Sequence, residues 1–170
     1  NRGQRRLLAI LEKMRLENVP IRVILVKARQ WGGSTLSQIY MLWLQIFHYI
    51  NWHSVIISQY KNQSANIRNM IQKTIKRYPA EYTPPTLKTL PGTQNVKYIV
   101  ERGCEIITGS AENPDAIRSF DIAMAHLSEV GLWVETLTKS RSELAQALYA
   151  AIPDEPGTLI IMESTAKGIG

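Results

Sequence analysis

From Gln30 to Tyr60 the chain carries no Lys, Arg, Asp or Glu. A stretch of that length without charge is buried, in protein or in lipid. Gln38, Gln45 and His48 interrupt its apolar residues, and its helical part, on the order of 17 residues, is at the short limit for crossing a bilayer. A strand pattern, Ser54–Ser58, follows at once. A helix and a strand inside a layered α/β domain account for the run, and a membrane span does not.

The flanking segments extend that pattern. Residues 5–17 place Leu7, Leu8, Leu11 and Met14 at helical spacing with basic residues on the outer face, and Asn18-Val19-Pro20 ends the helix. Ile21–Val26 is a β-branched apolar run, hence a buried strand. Helices are expected over Ser34–Tyr49, Asn62–Tyr78 and Ser140–Ala151, and further strands over Asp121–Leu127 and Thr158–Met162. Residues 79–95, with Pro79, Pro84, Pro85, Pro91 and Gly92, read as a loop. Ala111–Ser119 reads as a second loop. Val96–Val100 and Glu105–Thr108 flank Glu101-Arg102-Gly103-Cys104 as a hairpin. Strands alternating with helices predict a three-layer α/β fold with a mostly parallel central sheet, to which the antiparallel hairpin is added.

A chain of 170 residues is one domain by length. A single cysteine, Cys104, rules out an internal disulfide framework, and three histidines weigh against a zinc site. No secretory signal is visible, so a reducing, intracellular setting is expected. Charge is unevenly spread: residues 1–102 hold 16 Lys/Arg against 4 Asp/Glu, and residues 103–170 hold 4 against 10. A basic half suits a polyanion, although solvated helix faces give the same count.

The segment Lys27-Ala28-Arg29-Gln30-Trp31-Gly32-Gly33-Ser34-Thr35 joins a strand to a helix, the setting of a phosphate loop (Walker A) of pattern G-x-x-x-x-G-K-S/T. In such loops backbone N–H groups and a helix N-terminus attract phosphate oxygens, a lysine reaches the outer phosphates and a hydroxyl ligates Mg²⁺. Gly32 falls at the second glycine and Ser34 at the hydroxyl position. Lys27 stands where the first glycine belongs, and Gly33 where the lysine belongs. The lysine has moved to the front of the loop, from which its flexible stem can fold back over the phosphates, with Arg29 as a second cation. A strand–Gly-Gly-Ser–helix junction also serves as an ordinary tight turn.

Hydrolysis needs a carboxylate at a nearby strand end. Met124-Ala125-His126-Leu127 followed by Ser128-Glu129 supplies a Walker B-like pattern in which Glu129 is the candidate base for the attacking water. Ser128 stands in place of the usual aspartate, contacting metal through water. A third strand runs into Glu163-Ser164-Thr165-Ala166, whose small hydroxyl residues are placed to sense a γ-phosphate, since ligands of open α/β sheets sit at the carboxyl ends of strands. Ser-Thr after a strand is also common turn chemistry.

KARQWGGSTL (27–36), AHLSEVGLW (125–133) and MESTAKG (162–168), in that order and with AIPDEPGT (151–158) before the last strand, resemble the ATPase domain of the large subunit of tailed-bacteriophage terminases. The resemblance covers nearly the whole chain. It implies a RecA-like P-loop NTPase of the ASCE type that hydrolyses ATP with Mg²⁺ to drive double-stranded DNA into procapsids. Such a motor works as a ring on the portal protein, helped by a small terminase subunit, in the cytoplasm of the bacterial host. Residues 1–170 are then its N-terminal ATPase domain, a fragment, with an endonuclease domain to follow. Gln4 resembles the adenine-reading glutamine ahead of the first helix; an exposed polar residue in a frayed terminus is the plain alternative.

Taken together, nucleotide binding is expected of Gln4 and residues 27–35, and Mg²⁺ binding of Ser34 and, through water, Ser128. Catalysis is expected of Glu129 and Arg29, with Arg29 shifting between phosphate and Glu129, and coupling of Ser164, Thr165 and Ala166. An arginine from a neighbouring subunit would complete the site; Arg68, Arg77, Arg102, Arg118 and Arg141 are the candidates. Two other readings fit the same residues: a helicase-like nucleic-acid ATPase, and a nucleotide-binding scaffold that no longer hydrolyses because the usual lysine and aspartate are missing.

Overall fold

The computed structural model describes residues 1–82, 89–91, 96–111, 121–133 and 141–166. The elements run α1 (Arg2–Leu16), β1 (Ile21–Lys27), α2 (Gly33–Phe47), β2 (His53–Ser58), α3 (Lys61–Lys76), β3 (Thr89–Pro91), β4 (Val96–Ile99), β5 (Cys104–Ser110), β6 (Ile122–Leu127), α4 (Arg141–Ala151) and β7 (Leu159–Thr165). The uncharged run thus becomes α2 and β2. Among the described residues no helix is long and apolar enough to cross a membrane.

Seven strands form one sheet in the order β1-β7-β6-β2-β5-β4-β3. The five from β1 to β5 are mutually parallel, and β4 and β3 add on antiparallel. Side chains alternate across the sheet and feed two cores. On one face Leu7 and Leu11 of α1, Tyr40, Met41 and Leu44 of α2 and Ile71 of α3 pack on Ile21, Ile56, Met124 and Ile161. On the other, Leu148 and Ile152 at α4 join Trp133 against Val55, Ile57, Ala125, Leu127 and Ile160. This is the expected three-layer α/β fold. β1 lies at the sheet edge and leaves Ile24 and Val26 exposed on the α4 side.

A polar cluster ties α1 to α2. Arg15 forks onto Glu12 with two hydrogen bonds of 2.8 Å, and the Tyr40 hydroxyl donates to Glu12 Oε1 at 2.7 Å. The Arg15 guanidinium also lies over the Trp43 ring, 5.5 Å from its centroid.

Four sequence expectations shift. First, α1 begins at Arg2 rather than residue 5, because Asn1 and Gln4 form a reciprocal capping box: the Asn1 side chain accepts from the Gln4 N–H and the Gln4 side chain accepts in return. Second, the 79–95 segment is not all loop. Thr89–Pro91 pairs antiparallel with Val96–Ile99, and a proline is tolerated there because β3 is an edge strand. Third, β7 does not stop at Met162; it continues through Glu163, Ser164 and Thr165, each paired with β1 up to Lys27↔Thr165. Its polar side chains are satisfied from other elements: Glu163 by Ser34 and Ser128, Ser164 by the Gly131 N–H and Thr165 by Glu129. Fourth, Arg102 is committed within the chain. Its Nε donates to the Gln45 and Tyr49 carbonyls at the end of α2, so of the candidate arginines it is one already bonded within the chain. The Ala111–Ser119 loop beyond its first residue, Arg118, and the Arg68 and Arg141 side chains lie outside what is described.

Candidate nucleotide site

β1 delivers Lys27 to the carboxyl edge of the sheet, and residues 28–32 carry the chain over to α2. Two residues of this loop have left-handed backbone: Gln30 at φ 56° and Gly32 at φ 83°. At Gly32 a side chain is excluded twice over, since a Cβ would also lie 2.5 Å from Gln4 Nε2. Gly32 is the N-cap of α2 and makes no side-chain capping bond, and the first turn holds no acid. A helix N-terminus free of carboxylates is suited to an anion.

The loop is braced by α1. Gln4 Nε2 donates to the Gly32 carbonyl at 3.0 Å and Asn1 Nδ2 to the Trp31 carbonyl at 3.0 Å. The Trp31 indole packs between Gly3 and Gly33, so close to both that neither position has room for a Cβ. Gln4 therefore is not a residue of a frayed end; its side-chain amide holds the 28–32 loop. Ala28 and Arg29 are exposed, and the Thr35 hydroxyl points to Met70 Sδ of α3 rather than into the loop.

The acid-bearing strand β6 is not the neighbour of β1. β7 lies between them, so Lys27, Ser128, Glu129 and Glu163 meet at three adjacent strand ends. The Lys27 side chain is 6% exposed and its Nζ donates to Glu129 Oε1 at 2.7 Å. Glu129 also accepts from the Thr165 N–H at 2.9 Å and the Thr165 hydroxyl at 3.0 Å. Burial pushes the Glu129 carboxyl up, but the bonds from Lys27 and Thr165 outweigh it and hold it below its ordinary value. Glu129 takes a left-handed backbone, φ 57°, and caps a 3₁₀ turn over Val130–Leu132. Within that turn the Gly131 N–H donates to Ser164 Oγ at 3.1 Å. Ser164 and Thr165, the residues expected to couple, thus both touch the segment carrying the expected base. Ala166 is exposed and follows β7 directly.

In this structure the cation on Glu129 is Lys27, whose side chain is buried, whereas Arg29 is exposed on the loop.

Glu163, given no role from the sequence, sits at the centre. It is 1% exposed. Its Oε1 accepts hydrogen bonds from Ser34 Oγ and, at 3.0 Å, from Ser128 Oγ, and His126 Nε2 lies 3.3 Å away. Burial opposes ionisation of this carboxyl, and the contacts from His126, Ser34 and Lys27 prevail, holding it below the ordinary range. The signal in the sequence was a lone acid directly after an uninterrupted apolar run, Leu159–Met162. Two hydroxyls converging on a buried carboxylate oxygen are hard-oxygen donors of the type Mg²⁺ takes, so the residues present fit that ion.

A parallel sheet with a glycine loop at the end of one strand, a helix N-terminus directly behind that loop and an acid two strands away is the arrangement of the P-loop class of folds. Among solved structures, the large terminase of bacteriophage HK97 superposes with a TM-score of 0.73 at 17% identity, covering 96% of this chain and 33% of that one. The N-terminal domain of the DNA packaging ATPase from bacteriophage phi29 gives 0.63 at 13% identity, covering 94% and 79%. A large terminase from a thermophilic bacteriophage, solved in complex with ATP-gamma-S, gives 0.59 at 13% identity, covering 92% and 36%. The fold is that of the ATPase domains of phage DNA-packaging proteins, and the chain spans about a third of the length of the HK97 large terminase. No protein-family model matches the chain, and no curated protein matches it in sequence.

Proposed function

We propose that this chain is the ATP-hydrolysing domain of a DNA-packaging motor, the N-terminal part of a terminase large subunit. One observation carries the reading: Lys27, Ser34, Ser128 and Glu129, drawn from three separate segments, converge at the carboxyl ends of β1, β7 and β6 on a fold shared with packaging ATPases. The likeness to a terminase solved with ATP-gamma-S supports a nucleotide as the ligand.

The loop amides at the start of α2 receive phosphate oxygens, and Lys27 turns from Glu129 toward the outer phosphates. Ser34, with Ser128 nearby, would hold Mg²⁺, which would supply charge neutralisation on the phosphates. Loss of Lys27 frees the Glu129 carboxylate, which Thr165 keeps in position, to take a proton from the attacking water. Arg29, exposed at the loop, adds a second cation to the phosphates. Ser164 and Thr165, with Ala166 behind them, transmit the change because they are bonded to the Glu129 turn. Gln4 guides the loop from α1, and residues 28–35 line the nucleotide.

In the same reading the basic segment 1–102 faces double-stranded DNA through salt-sensitive phosphate contacts. The active form is a ring on the portal protein, loaded by a small terminase subunit in the host cytoplasm, with Arg77 among the arginines available to a neighbour and an endonuclease domain following residue 170.

The experiment is nucleotide binding followed by Trp31 fluorescence, since that ring packs on the loop. Wild type binds ATP-gamma-S and Lys27→Met binds it weakly. Full binding by Lys27→Met would contradict the moved lysine. A second reading, a scaffold that binds without hydrolysing, draws on the Lys27–Glu129 pair, which occupies the expected base; turnover separates the two.

A further inference from the structure

The carboxylate that P-loop hydrolases place at the end of the acid-bearing strand is missing here, because the residue directly after β6 is Ser128. The strand beside it holds one. The β6–β7 register, Leu127↔Met162, sets Glu163 next to Ser128. Glu163 is buried among Ser34, Ser128, His126 and Lys27, and its Oε2 accepts no hydrogen bond among the described residues while lying 3.8 Å from Lys27 Nζ.

Lys27 cannot fully neutralise this group, since its close partner is Glu129 at 2.7 Å. Two carboxylates therefore share one ammonium, directly beside a helix N-terminus that favours anions. When phosphates draw Lys27 away, both carboxylates lose their counter-charge. A buried carboxylate is tolerated only when paired or bound to metal. A divalent cation between the phosphates and Glu163 meets both demands. Magnesium uses one or two carboxylates together with substrate phosphates.

We propose that Glu163 supplies the carboxylate of the magnesium shell, one strand over from the position that Ser128 leaves without an acid. The inference rests on the nucleotide-binding reading given above. Ser128 then orients Glu163 through its hydroxyl instead of reaching the ion itself, and His126 supports the same oxygen from within the sheet.

The test uses Mn²⁺ as a spectroscopic probe, titrated by electron paramagnetic resonance in the presence of ATP-gamma-S. Glu163→Gln keeps the shape and removes the charge. It weakens Mn²⁺ binding by about tenfold or more, the range seen when groups supporting a metal site are lost. Binding of ATP-gamma-S in EDTA is not weakened, since the lost carboxylate carries the same sign of charge as the phosphates. Ser128→Asp combined with Glu163→Gln returns a carboxylate to the cluster from β6 and restores Mn²⁺ affinity; this pair also carries the comparison should Glu163→Gln alone fail to fold. Unchanged Mn²⁺ affinity in folded Glu163→Gln, or a folded double variant that still lacks Mn²⁺, overturns the proposal. Wild type that binds no ATP-gamma-S overturns the nucleotide reading itself, a result distinguishable from loss confined to the variants.

Discussion

Lys27 Nζ and Glu129 Oε1 lie 2.7 Å apart although their strands, β1 and β6, are not neighbours. The pair spans the end of β7, whose Thr165 bonds the same carboxylate. In the proposed mechanism Lys27 is the cation for phosphate and Glu129 the base for water, so drawing Lys27 onto a nucleotide would also free the base and link binding to activation.

Removing the lysine tests that link. Lys27→Met abolishes an ammonium–phosphate contact, and charge-assisted bonds contribute about 1.5–3 kcal/mol, so nucleotide affinity falls roughly ten- to a hundredfold. The same change leaves Glu129 largely buried without its cation, which costs on the order of 3 kcal/mol of folding stability. Calorimetric titration with ATP-gamma-S and a urea melt read the two effects separately.

Acid should unfold this protein through the same carboxyls. Glu129 and Glu163 both ionise below the ordinary value of 4.5, as does Glu12, held chiefly by its bond from Arg15. Below 4.5 the unfolded chain binds more protons than the folded one. The stabilisation is therefore complete above that value and is lost as pH falls through the folded values. Urea midpoints are expected to hold level from neutrality down to the ordinary carboxyl range and to drop beneath it. Lys27→Met lowers the plateau and flattens the drop, because Glu129 then ionises closer to its unfolded value.

Gly32→Ala places a Cβ on a residue at φ 83° and within 2.5 Å of Gln4 Nε2. Strain of this type costs about 1–3 kcal/mol. A thermal melt should show the loss, and Gln4→Ala combined with Gly32→Ala should recover only the part due to the clash. If Gly32→Ala melts like wild type, the loop is not held as described.

Tyr40→Phe removes the hydroxyl bonded to Glu12 and is expected to cost about 1 kcal/mol, with nucleotide affinity untouched. The α1–α2 cluster lies away from the loop, so a change in affinity would reveal unexpected coupling through α1.

Much of the fold was legible because burial has a period. The apolar runs at Ile21–Val26 and Leu159–Met162 and the helical spacing of α1 and α3 write themselves into the chain. Lys27, Ser34 and Glu129 could also be singled out in the sequence as the residue types phosphate chemistry would ask for at strand and helix ends, and the structure brings them to one cluster. Strand order was not legible, and with it went Glu163: an acid after an apolar run reads as a strand end until β7 is seen wedged between β1 and β6. The β3 edge was hidden by its proline. The bracing of the loop was half visible, since Asn1 and Gln4 have the capping-box spacing, but their second contacts, to Trp31 and Gly32, depend on where α1 docks.

ATP turnover with Mg²⁺ by Glu129→Gln, measured beside ATP-gamma-S binding by the same variant, tests the central claim most directly. The amide keeps the shape of Glu129, releases Lys27 and cannot accept a proton. The variant should bind ATP-gamma-S at least as tightly as wild type, while its turnover drops by about 10²-fold or more, the usual contribution of a positioned base. Equal turnover in Glu129→Gln and wild type, or no turnover in either, would contradict the account.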